Sequence, residues 1–89
     1  MKAKQQLGQN FLMHKATAKR IVTAANLPEH SRVLEIGPGT GMLTRELLSA
    51  GHAVTAVETD GELFETLSEE FAGEKNLSLI HSDIRSFSL

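Results

Sequence analysis

The feature that most constrains this 89-residue chain is an apolar run that breaks on glycine and restarts as a helix. Val33-Leu34-Glu35-Ile36 has the β-branched, apolar character of a short buried strand. Gly37-Pro38-Gly39-Thr40-Gly41 follows at once. Residues 42–50 then place Leu43 and Leu47 four apart, and Gly51 closes the helix. Glycine tolerates positive φ and lets a ligand approach the backbone with no Cβ in the way. Strand, glycine turn and helix in that order read as a nucleotide-type binding loop. The spacing is G-x-G-x-G, whereas the dinucleotide fingerprint G-x-G-x-x-G puts its third glycine where Met42 stands. A plain tight turn is the alternative.

The rest of the chain continues the alternation. Residues 14–26 carry Ala18, Ile21, Val22 and Ala25 at helical spacing, and Leu27-Pro28 ends that helix. Residues 53–57 make a second strand that stops at Glu58. Thr59-Asp60-Gly61-Glu62 fits a capping box. The helix it opens sets Leu63, Leu67 and Phe71 on one face with Phe64 beside them, and Glu65, Glu69 and Glu70 on the solvated side. Residues 76–81 form a third strand, with Ser82-Asp83 just past its end. Residues 1–13 show no clear period and read as an extended basic arm. The order predicts an α/β fold with right-handed crossovers and a parallel sheet of strand order 3-2-1. Ligands of such sheets bind at the carboxyl ends of the strands. Gly37, Glu58 and Asp83 are therefore expected to converge on one crevice.

Composition narrows the chemistry. There is no cysteine, so disulfides, thiolate metal sites and cysteine catalysis are excluded. The four histidines, His14, His30, His52 and His81, have no metal-ligand spacing. No apolar run approaches the roughly 18 residues of a membrane span, and the N-terminus lacks a signal-peptide core. The expected compartment is the cytoplasm. Net charge is −2, but Lys2, Lys4, Lys15, Lys19 and Arg20 stand in the first 28 residues with no acid, leaving −7 on the remainder. Such an asymmetric arm can hold a phosphate backbone through counterion release, or it is a solvated terminus. A domain of this length buries only about 60–65% of its unfolded surface. The chain is accordingly expected to be a piece of something larger.

At the strand ends, a carboxylate in Glu58's position can accept two hydrogen bonds from the vicinal hydroxyls of a ribose. The alternative is a charge favoured by the following helix dipole. Asp83 could accept from an adenine amino group, or simply start a loop. Glu35, a carboxylate inside an apolar strand, must find partners or shift its pKa. It either orders the glycine loop, approaches the charged end of a ligand, or makes an ordinary buried hydrogen bond. A nicotinamide-dinucleotide-binding domain would share the loop and the ribose acid, but its pyrophosphate needs the other glycine spacing.

Four segments together carry a resemblance: Gln6-Leu7-Gly8-Gln9-Asn10-Phe11-Leu12, Leu34-Glu35-Ile36-Gly37-Pro38-Gly39-Thr40-Gly41, Val57-Glu58-Thr59-Asp60 and His81-Ser82-Asp83-Ile84. In them the chain resembles the ribosomal RNA adenine N6-dimethyltransferase family over nearly its whole length. That family includes the small-subunit dimethyladenosine transferases and the erythromycin-resistance methylases. Leu7-Gly8 ahead of Gln9 favours the small-subunit branch, with the resistance type as the alternative.

The resemblance implies a Rossmann-like S-adenosylmethionine-dependent methyltransferase fold, here truncated after strand 3. Residues 14–89 would be the N-terminal part of the cofactor-binding domain, and residues 1–13 its basic arm. It implies that Asn10 and Leu12 line the S-adenosylmethionine pocket, that Gly37 and Gly39 offer backbone contacts, that Glu58 holds the ribose hydroxyls and that Asp83 meets the adenine. Thr59 stands where the family usually has a larger apolar residue, which should loosen adenine packing modestly. The implied partner is small-subunit ribosomal RNA, with no membrane. The family's target-adenine motif is Asn-Leu-Pro followed by an aromatic, after a fourth strand. Asn26-Leu27-Pro28 is followed by Glu29 and precedes strand 1, so it reads as a helix stop. No catalytic residue is therefore expected within 1–89, and the chain alone is expected to be inactive. Without a fourth strand, residues 33–36 would form a sheet edge, through which the chain is expected to self-associate.

Overall fold

Strand-forming and helix-forming segments alternate along the chain, and the fold follows that alternation. The computed structural model describes the backbone of residues 2–86 and the side chains of residues 14–86. In chain order the elements are α1 (Lys2–Ala25), β1 (Arg32–Ile36), α2 (Met42–Ser49), β2 (Ala53–Glu58), α3 (Gly61–Glu70) and β3 (Leu77–His81), followed by a 3-10 turn at Ile84–Ser86. The three strands form a parallel sheet in the order β1-β2-β3, as their alternation with helices predicts. Val33 pairs with Val54, and Val54 in turn with Leu77.

Two right-handed crossovers that step in the same direction place α2 and α3 on one face of the sheet. Val33, Val54, Ala56, Leu77 and Leu79 point to that face. They pack with Leu43, Leu47 and Leu48 of α2, and with Val22 and Leu27. Side chains alternate along a strand, so Leu34 and Ile36 point the other way. They are 40% and 49% exposed. No helix among the described residues is long and apolar enough to cross a membrane.

Three expectations need correction. The extended arm read over residues 1–13 is instead helical backbone from Lys2 onward, because Ala3, Lys4, Gln5, Gln6 and Leu7 are strong helix formers even without an apolar stripe. The stripe expected on residues 14–26 is narrower than its spacing suggests. Ala18 is buried and Val22 half-buried, but Ile21 is 51% exposed and Ala25 is exposed, since a three-stranded sheet offers α1 little surface. Finally, Asp60 rather than Thr59 caps α3. Asp60 holds the extended backbone (φ −78°, ψ 122°), and its carboxylate accepts from Glu62 N and Leu63 N at 2.9 and 3.0 Å. The helix stop at Asn26 is as expected: φ is +47°, and its N–H donates to Thr23 O.

Candidate functional site

The glycine loop is built by three local devices. Gly37 N–H extends the parallel ladder by donating to Val57 O at 2.8 Å. Gly41 N–H donates to Pro38 O at 2.9 Å, closing a four-residue turn whose second position is Gly39 at φ +59°. That conformation is one glycine adopts at no steric cost. The glycines then divide by what surrounds them. A Cβ at Gly37 would meet nothing within 4 Å, and one at Gly39 only Gly37 O at 3.9 Å. At Gly41 it would strike Phe71 at 2.7 Å and Leu67 at 2.9 Å. Gly37 and Gly39 thus present bare backbone to open space, whereas Gly41 lets α3 pack against the start of α2. This explains the G-x-G-x-G spacing: the third glycine serves helix packing. Gly41 also leaves the first turn of α2 without a side-chain cap, so amides there remain free for an acceptor.

Glu58 ends β2 directly beside this loop. One carboxylate oxygen accepts from Gly39 N at 3.2 Å, the other from Asp60 N at 2.9 Å. The residue is 6% exposed. A carboxylate has about four acceptor positions, so two remain for further donors such as a vicinal diol. Glu58 therefore both fastens the loop and keeps capacity to receive a ligand. Its backbone carbonyl accepts from Ser82 N at 3.1 Å, which brings the end of β3 alongside.

Asp83 follows, and its carboxylate is taken up by Arg85. The contacts are Arg85 N at 2.9 Å, Nε at 3.1 and 3.2 Å and Nη2 at 2.6 Å. This guanidinium holds Asp83 below the usual carboxylate range, keeping it an acceptor. The structure thus joins Gly39 to Glu58 directly, joins Gly37 to the neighbouring Val57, and ties the backbone next to Asp83 to Glu58. The side chains of Asn10 and Leu12 lie outside the described residues.

Glu35 resolves differently from the strand-end acids. Its carboxylate is buried, and Thr44 Oγ1 of α2 donates to it. Burial pushes its carboxyl above the ordinary value, with the Thr44 bond pulling the other way. Thr44 and Arg85 are the two partners that sequence reasoning missed. A threonine one position after Leu43, on the apolar side of α2, was the available signal for the first. Thr59, read from sequence as a helix cap and as a substitution beside the adenine, instead donates its hydroxyl to Ser82 O at 3.3 Å. A cavity of about 430 Å³ opens beside Thr40 and Met42, lined also by Lys15, Arg45 and Glu70. Neither Glu58 nor Asp83 lines it, so it is separate from the strand-end crevice.

The family model described as ribosomal RNA adenine dimethylase matches residues 1–89. A ribosomal RNA small subunit methyltransferase A from Dehalococcoides mccartyi is 46% identical over 84 residues, 94% of this chain and 29% of that protein. Among solved structures, the 23S rRNA methyltransferase ErmE aligns with a TM-score of 0.73 at 36% identity, covering 83% of this chain and 30% of that one. The glycopeptide N-methyltransferase MtfA, complexed with S-adenosyl-L-methionine, aligns at 0.71 and 26% identity, covering 84% and 35%. The chain spans about three tenths of the length of the first of these relatives.

Proposed function

Because this chain belongs to the ribosomal RNA adenine dimethylase family, we propose that it binds S-adenosylmethionine for methyl transfer to adenine N6 in ribosomal RNA. The observation that carries the reading is the bare backbone of Gly37 and Gly39 held beside the buried Glu58 carboxylate. A ribose fits there, because Glu58 has acceptor positions left and no Cβ obstructs approach to the loop. Asp83, kept ionised by Arg85, would accept from the adenine amino group. Asn10 and Leu12 would line the pocket from α1. When bound, the cofactor supplies an electrophilic methyl carbon on a sulfonium. The residues of this chain contribute binding and orientation. The base to be modified would have to leave its stack to reach that carbon.

Small-subunit RNA is the proposed substrate. The 46% identity to a small-subunit enzyme, against 36% to ErmE, favours that branch. The five cations of the first 28 residues suit a phosphate backbone. A second copy of the chain is a further proposed partner, paired along β1.

Calorimetry with S-adenosylhomocysteine tests the cofactor assignment. Binding should weaken by about 1–3 kcal/mol in Glu58→Ala, where buried donors lose a charged acceptor. NAD should not bind. An unchanged dissociation constant in Glu58→Ala would remove the ribose assignment, and preference for NAD would favour a dinucleotide domain.

A further inference from the structure

Two buried carboxylates, Glu58 and Glu35, adjoin the glycine loop, and of the two it is Glu58 that accepts from a loop amide, Gly39 N. Glu35 lies two residues before Gly37, and Thr44 three after Gly41. Their hydrogen bond joins the strand entering the loop to the helix leaving it. Both partners are well inside, Glu35 at 8% and Thr44 at 1% exposure. An ionisable group buried this deeply destabilises the fold unless its contacts compensate, and an apolar residue would suit a buried strand position better. What apolar contact lacks is direction. The loop needs direction, because Gly37, Gly39 and Gly41 all stand at positive φ and glycine-rich chain loses the most freedom on ordering.

We propose that Glu35 and Thr44 form a tie that positions the glycine loop, so that Glu35 is a positioning residue acting through Thr44 rather than on the ligand. This rests on the cofactor-binding reading. The loop's fastening on the other side uses the Glu58 carboxylate, which a ligand must share. The tie is independent of the ligand: it sets the spacing of β1 and α2 before anything binds, and it lowers the ordering cost at binding.

The test is calorimetry with S-adenosylhomocysteine on the full chain, at a temperature where circular dichroism shows each variant folded. Thr44→Val, nearly isosteric but without the hydroxyl, should weaken binding by about fivefold or more, the equivalent of one hydrogen bond. Thr44→Ser, which restores the hydroxyl, and Glu35→Gln, which keeps the accepting oxygen, should each bind within about twofold of the native chain. Should Thr44→Val fail to fold, Thr44→Ala carries the same arm. A lower melting temperature with an unchanged dissociation constant would reduce the pair to a structural contact and overturn the proposal. Glu35→Gln binding as weakly as Thr44→Val would overturn it too, since charge would then matter rather than the tie. No binding by the native chain would bring down the cofactor reading itself, a result distinct from native binding with an indifferent Thr44→Val.

Discussion

Glu35 and Asp83 show how environment sends two carboxylates in opposite directions. Burial lifts the Glu35 carboxyl above its ordinary 4.5, and the Thr44 hydroxyl offsets this only in part. The folded chain then holds a proton that the unfolded chain has released, so stability falls as pH rises from about 4.5 through the raised value. Glu35→Gln should abolish that contribution. Denaturant titrations from below pH 4.5 to neutrality should show the native chain losing stability relative to the variant across this window, with a constant difference above it. Parallel curves would mean that Glu35 titrates alike in both states. Asp83 behaves in the reverse sense, because Arg85 lowers its carboxyl from 3.8. Its contribution is present above that value and fades as pH falls through the lowered one. Being open to solvent, it is screened and small.

The helices flanking the loop and the crevice start differently. Helix α2 begins at Gly41 with no side-chain cap, while Asp60 caps α3 through two backbone amides. Removing that cap exposes unsatisfied donors next to Glu58, whose second oxygen already serves Asp60 N. Asp60→Ala should therefore cost about 0.5–2 kcal/mol, read as a shift in the urea midpoint at unchanged slope. An unmoved midpoint would indicate that Thr59 or water takes over the cap. Helix α3 also reaches the loop through Phe71 and Leu67, which occupy the space a side chain at Gly41 would need. Arg45 of α2 covers the Phe71 ring at 4.7 Å, so the two helices grip each other on both sides of this contact.

All three helices pack on one face of the sheet, and this asymmetry shapes how the chain behaves on its own. Leu34, Ile36 and Ile84 stay exposed, and β1 pairs with no strand but β2 among the described residues. Residues 33–36 include neither proline nor lysine, and the one acid there is turned inward to Thr44. Such an edge invites another strand. Residues 1–89 should sediment as a dimer or larger at micromolar concentration, whereas a stable monomer with rapidly exchanging β1 amides would contradict this. Much of the architecture was legible from sequence. Strand–helix alternation and right-handed crossovers dictate the β1-β2-β3 order, and glycines directly after a strand dictate a loop open to ligand. Glu58 at the next strand end then had to lie beside that loop. These features depend on local periodicity and chain order, which sequence records. The start of α1 at Lys2 escaped notice because helix propensity without an apolar stripe leaves no period to read. That Asp60 takes the cap and that Arg85 takes Asp83 is local, within three residues, and is settled by backbone angles that residue identity alone does not set. Only tertiary structure decided that Thr44 meets Glu35 and that Gly41 yields to Phe71, because distances between separate segments emerge only once they pack.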